Sequence, residues 1–143
     1  MFTPGTRPRL EPAAPGPAVA VVIEASAPIT AGSRRLATVA DFGYGVRYSL
    51  ARGRNHVMVP PGRYRVMLYS QYTFWQVGKA WLDIDTTRGP VLFHYASPYT
   101  IYSAGAAGFE PQQRPGRGAM LAMVSAAVLI PLLLVGLGVL LVR

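Results

Sequence analysis

Apolar and polar side chains alternate along the chain from Val19 to Tyr95, and at Ala119 the pattern gives way to an unbroken apolar run. Val19, Val21 and Ile23 alternate with smaller or polar positions, as in a strand with one buried face. After a break at Ala31-Gly32-Ser33, Leu36 to Ala40 predicts a short second strand. Phe42-Gly43-Tyr44-Gly45 reads as a turn or bulge. Tyr44 to Leu50 predicts a third strand, with Val46, Tyr48 and Leu50 on one face and Arg47 on the other. Arg52-Gly53-Arg54-Asn55 reads as a turn, and His56 to Val59 as the next strand.

Pro60-Pro61-Gly62-Arg63 places proline at the second position of a type II turn and glycine at the third, where φ must be positive. Val57 and Val59 before it, and Tyr64, Val66 and Leu68 after it, are therefore expected to form a hairpin, with Arg63 and Arg65 on the other face. Tyr72 to Trp75 is an aromatic loop or the start of a strand. Ala80, Leu82 and Ile84 then oppose Lys79, Trp81, Asp83 and Asp85. Thr87-Arg88-Gly89-Pro90 turns the chain again, and Val91, Phe93 and Tyr95 oppose Leu92 and His94. Ser97-Pro98 breaks the run, and Tyr99 to Ser103 closes the folded part. No helical period precedes Ala119. About seven short antiparallel strands, with turns roughly every 8–12 residues, predict an all-β sandwich of immunoglobulin-like shape over residues 18–103.

The run Ala119 to Val142 carries no charged side chain. As a helix it is about 36 Å long, against about 30 Å of bilayer hydrocarbon, so residues 119–142 are expected to span a membrane. Pro131 lies mid-span, where a proline kinks a membrane helix without forbidding it. Ala122 and Ala126 share one face, a spacing that lets helices approach closely. Arg114 and Arg117 precede the span and Arg143 follows it, while Met1 to Gly5 has no basic segment leading into an apolar one. Both features predict a tail-anchored, single-pass protein of the cell membrane with its N-terminal part in the cytoplasm. Residues 1–17, with five prolines, are expected to be a disordered arm, and their Pro12/Pro15 pair is too minimal to define a polyproline ligand. Residues 104–118 are expected to be a flexible linker, reaching about 50 Å when extended.

Composition narrows the chemistry. Cysteine is absent, which removes disulfides and thiolate metal sites. The net charge is +8 although only 14% of residues are charged, and Lys79 is the only lysine. With the abundant Ala, Gly and Pro, this arginine excess is what a high-GC codon bias produces. Attraction to anionic lipid headgroups is the functional alternative. Asp83 and Asp85 with scattered Glu24, Asp41 and Glu110 are too few for a calcium site, and the alternative is a polar face paired with arginines across the sheet. His56 and His94 lack a G-x-S-x-G or H-E-x-x-H context, and no phosphate-binding glycine loop with lysine occurs. No catalytic residue, cofactor or metal is expected. Arg47, Arg63 and Arg65 with Tyr48, Tyr69, Phe74 and Trp75 make a basic and aromatic mix of the kind that binds single-stranded nucleic acid, protein hot spots or a bilayer interface. A membrane tether favours the last two over nucleic acid.

The segment Val57-Met58-Val59-Pro60-Pro61-Gly62-Arg63-Tyr64-Arg65-Val66 resembles the hairpin of PEGA-like and related bacterial β-sandwich modules, and Tyr95-Ala96-Ser97-Pro98 matches a y-x-x-P near their end. Pro61-Gly62 keeps only part of the P-E-G-A tetrapeptide that names them. The resemblance implies a non-catalytic interaction domain appended to a membrane or envelope protein, and it carries over no active residue.

The expectation is thus a membrane-tethered β-sandwich that binds or scaffolds a protein partner. Its candidate contact residues are Arg63, Arg65, Tyr72, Phe74 and Trp75. The competing reading packs the aromatics under a sheet edge and leaves the arginines solvated. The alternative function is a small accessory subunit of a larger membrane complex, assembled through the helix at Ala122, Ala126 and Pro131.

Overall fold

Val19–Ser26 forms the first strand, β1, and its alternating apolar side chains put Val21, Ile23 and Ala25 into the core. The computed structural model describes residues 16–26, 37–72 and 74–142. Residues 1–15 of the expected arm over 1–17, the Ala31-Gly32-Ser33 break, Leu36 and Arg143 lie outside the described residues. The further strands are β2 (Ala37–Asp41), β3 (Arg47–Leu50), β4 (Gly53–Val59), β5 (Arg63–Tyr72), β6 (Trp75–Asp85), β7 (Val91–Ala96) and β8 (Ala106–Gly108). They are followed by one helix, α1 (Arg117–Val142).

The strands form two four-stranded sheets, ordered β4-β1-β7-β8 and β3-β2-β5-β6. One core cluster draws on both. Val21, Ile23, Val57, Val59, Phe93 and Tyr95 enter it from the first sheet; Ala40, Leu50, Tyr64, Val66, Leu68, Ala80 and Ile84 enter from the second. Each fully buried large side chain of this set stabilises the fold by about 1.5–3 kcal/mol. Phe42 sits edge-on to Tyr48 and Tyr64, with ring centroids 5.9 and 5.7 Å away. The Phe42–Val46 turn that follows β2 has Gly43, Tyr44 and Gly45 all at positive φ, and the Asp41 carboxylate holds it by accepting from the Gly43 N–H (2.8 Å) and Arg47 Nε (2.6 Å).

Several expectations are corrected. There are eight strands among the described residues, and β1 pairs with β7 in parallel, Val21 opposite Val91 through Ser26 opposite Ala96. The hairpin expected at Pro60-Pro61-Gly62 does not form. β4 and β5 lie in different sheets, so this segment crosses between them. The described glycines at positive φ are Gly43, Gly45, Gly53, Gly78, Gly89 and Gly116, and Gly62 is not among them. The crossover is fastened by buried Thr86. Its hydroxyl accepts from the Gly62 N–H (3.0 Å), and its own N–H donates to the Gly62 carbonyl (2.8 Å). Alternation on both sides of the prolines marks a buried face, and two strands that face one core from opposite sheets carry the same mark as a hairpin.

The turn expected at Arg52–Asn55 is shorter, and β4 begins at Gly53. The Asn55 side chain reaches back to close it, accepting from the Ala51 N–H and donating to the Ala51 carbonyl (both 2.8 Å). Residues 104–118 are not a free tether. β8 pairs antiparallel with β7, Tyr95 opposite Ala107, and the segment after it is also fastened to the domain. The helix begins at Arg117, two residues before the uncharged run.

Candidate functional site

The register of the sheets gives the domain two ends. At one end lie the Pro60–Gly62 crossover, the Phe42–Val46 turn and the Thr86–Pro90 connection. At the other lie the β3–β4 turn, the β5–β6 hairpin tip and the loop that follows β7. The helix is rooted at this second end.

The hairpin tip is built by pairing Tyr72 with Trp75, and Phe74 stands at its turn. Thr73 lies outside the described residues. Phe74 is 91% exposed, Trp75 69%, and Tyr72 is also exposed, so none of the three is core. Arg63 and Arg65 belong to the same hairpin but stand at its opposite end, where Arg63 faces Asp85 and Arg65 faces Asp83. Arg65 and Tyr72 are seven residues apart, about 23 Å along a strand. The structure therefore does not bring the five candidate contact residues together. Both arginines are also engaged. Arg65 donates to Asp83 through Nε (2.8 Å) and Nη2 (3.0 Å), and Arg63 lies 3.5 Å from the Asp85 carboxylate. The Arg65 bond holds the Asp83 carboxyl below its ordinary range. The Thr87 hydroxyl and N–H, with a smaller contribution from Arg63, do the same to Asp85.

Sequence reasoning missed the neighbours of the tip. β6 carries a bulge at Gly78, where the pairing slips between Leu68 and Ser70. Gly78 has φ +63, and a β-carbon there would come within 2.6 Å of the Pro98 ring. The Tyr95 hydroxyl donates to the Gly78 carbonyl (2.8 Å), and Gly105 packs so closely that a β-carbon of its own would collide with that carbonyl oxygen. Burial raises the Tyr95 phenol above its ordinary pKa. Pro98 and Gly105 thus bring both ends of the 99–103 loop to Gly78. That loop exposes Tyr99, Ile101 and Tyr102, the last 82%. An isolated glycine inside an alternating run was the available signal for the bulge. The loop has no periodicity to read.

The same loop holds the helix root. The Tyr99 N–H donates to the Pro115 carbonyl (2.9 Å). Arg114 donates to the Ser97 and Pro98 carbonyls (3.0 and 3.2 Å), and its guanidinium stacks 4.1 Å over the Tyr99 ring. Gly116, at φ +86, lies against the Ser103 hydroxyl and its carbonyl accepts from the Met120 N–H, opening the helix. Arg117–Val142 is long and apolar enough to cross a membrane. Pro131 lies inside it, and Ala122 and Ala126 are exposed along with the rest of its described side chains.

On the first sheet, Glu24 is shared between strands. It accepts from Arg54 (2.6 Å) on β4 and lies 3.4 Å from His94 Nδ1 on β7, each its register partner. The Arg54 bond chiefly holds Glu24 below its ordinary pKa. These residues line a cleft of about 320 Å³ with Gln112. The arrangement ties three strands together. Among the described residues no three His, Asp or Glu side chains are grouped to hold a metal. No family model, curated protein or solved structure matches this chain.

Proposed function

We propose that the chain is a single-pass protein of the cell membrane whose β domain is a non-catalytic binding or scaffolding module. In this reading the two sheets form a β-sandwich of the immunoglobulin-like, PEGA-like kind, with the Val57–Val66 segment carrying the kinship. The observation that carries the reading is the fastened helix root. Arg114, Pro115 and Gly116 are bonded or packed to the 97–103 loop, so a membrane-crossing helix would hold the domain at the bilayer surface. Arg114 and Arg117 on the domain side of the run favour a cytoplasmic domain and suit contact with anionic headgroups. The paired arginines and the Glu24–Arg54–His94 network favour structural roles over chemistry for the charged groups.

Protease added to intact cells tests the orientation, and the β domain should survive until the membrane is opened. Its digestion in sealed cells would reverse the orientation. Exchanging residues 119–142 for an unrelated apolar helix tests what the helix does. Function should persist, and its loss would favour assembly into a larger complex through the helix face that carries Ala122 and Ala126.

A further inference from the structure

We propose that the helix-rooted end of the β domain is itself a lipid-contacting surface, with Phe74 and Trp75 of the hairpin tip and Ile101 and Tyr102 of the adjoining loop seated at the membrane–water interface. This rests on the reading that α1 crosses a bilayer.

Distance makes the contact hard to avoid. Ala119, the first residue of the uncharged run, follows Gly116 by three residues, about 4.5 Å of helix rise. Gly116 is already against Ser103 of the loop. The polar layer on each side of a bilayer is about 5–8 Å deep. A helix that enters hydrocarbon near Ala119 thus leaves the 99–103 loop at headgroup level. The hairpin tip reaches further from the body of the domain than the base of that loop. Gly78 touches the loop's two ends, and Trp75 lies three strand residues beyond Gly78, about 10 Å, with Phe74 past it at the turn.

The side chains at this end have the right chemistry. Trp75 and Tyr102 each join an apolar ring to a polar handle, the combination enriched where bilayer meets water. Phe74 and Ile101 supply apolar surface that is exposed in the isolated chain. Arg117, at the first turn of the helix, is placed for headgroup phosphates. The far end differs. Neither Pro60–Gly62 nor Thr86–Pro90 contains an aromatic residue, and Tyr44 is the exposed one in the Phe42–Val46 turn. A protein partner could use the same aromatics. Continuity with the helix root favours lipid, because any other occupant would have to fit between the tip and the bilayer.

The two tryptophans form a depth gauge. Trp81 lies six residues further along β6 than Trp75, about 20 Å toward the far end, and is also exposed. Full-length chains with Trp81→Phe or Trp75→Phe each keep one reporter. Both are placed in vesicles of mixed zwitterionic and anionic lipid carrying bromine near the headgroup end of the acyl chains. Trp75 should emit at shorter wavelength than Trp81 and lose most of its intensity to the brominated lipid, while Trp81 keeps its own. Adding Phe74→Ser and Ile101→Ser should return Trp75 toward the emission of a solvated indole. If Trp75 is as red and as unquenched as Trp81 in chains that float with the vesicles, the lipid contact is wrong and the membrane anchor stands. Chains that do not float with the vesicles would overturn the anchor and this inference with it.

Discussion

Gly78→Ala should destabilise the β domain far more than the same change at Gly53, although both glycines sit at positive φ. A non-glycine residue held in the left-handed region costs about 1–2 kcal/mol. A β-carbon on Gly53, at φ +97, would have nothing within 4 Å, so Gly53→Ala should show that strain alone. Gly78, at φ +63, would add a methyl group 2.6 Å from the Pro98 Cδ and 3.2 Å from the Tyr95 hydroxyl. The proline ring cannot rotate away, so the 97–99 backbone has to shift, and overpacking of that kind adds about 1–3 kcal/mol. The sum is about 2–5 kcal/mol. A domain of this size has roughly 5–13 kcal/mol in all. Urea unfolding of the full-length chain in detergent, followed by tryptophan emission, measures both variants against wild type. Equal losses for Gly78→Ala and Gly53→Ala would refute the tight packing of β6 on the loop that holds the helix root.

Tyr95→Phe removes the hydroxyl bonded to the Gly78 carbonyl and should lower stability by about 1–3 kcal/mol in the same assay; an unchanged midpoint would mean that carbonyl is satisfied elsewhere. The pH profile of the urea midpoint should fall on both sides of a neutral plateau. Glu24, Asp83 and Asp85 have folded pKa values below their ordinary 4.5, 3.8 and 3.8, so their contribution is present above those values and is lost as pH drops through the folded ones. Tyr64 and Tyr95 are raised above 10.0 by burial, so theirs is present below pH 10 and is lost as pH rises through the folded values; an alkaline limb that survives replacement of both by phenylalanine would contradict this. A double-mutant cycle on the exposed Arg65–Asp83 pair should return only a small coupling that fades as salt is added, and a large, salt-insensitive one would give the pair a structural weight its exposure does not suggest. Leu129→Arg, near the middle of α1, should weaken membrane insertion by about 2.5–3.5 kcal/mol and release part of the chain on alkaline extraction, whereas full retention would place the helix outside hydrocarbon.

Burial was legible in the sequence where pairing was not. Val21, Ile23, Val57, Val59, Val66, Leu68, Ile84, Phe93 and Tyr95 all fall on expected inward faces, because a period of two states directly which side chains point the same way. The same period is silent about partners. It did not reveal that β1 lies beside β7, or that Pro60-Pro61 carries the chain from one sheet to the other. Local turn chemistry was similarly double-edged. Asn55 does organise a turn, but through its side chain from inside β4. At the candidate site, Tyr72, Phe74 and Trp75 were visible as an aromatic cluster, while Ile101 and Tyr102 join that end only through the packing of Pro98 and Gly105 on Gly78. Arg63 and Arg65 looked available because their cross-strand carboxylates are 18 to 22 residues away in the chain.

The place of β1 in its sheet has a bearing on how the chain reaches its native state. Neither neighbour is close in sequence, for Ala25 meets Gly53 and Ser26 meets Ala96. During synthesis β1 therefore emerges with both of its hydrogen-bonding edges bare, and one stays open until β7 has been made. Nascent or truncated chains that stop before Val91 carry the segment Val-Ala-Val-Val-Ile as an unprotected template for another copy, and in them intermolecular association competes with folding.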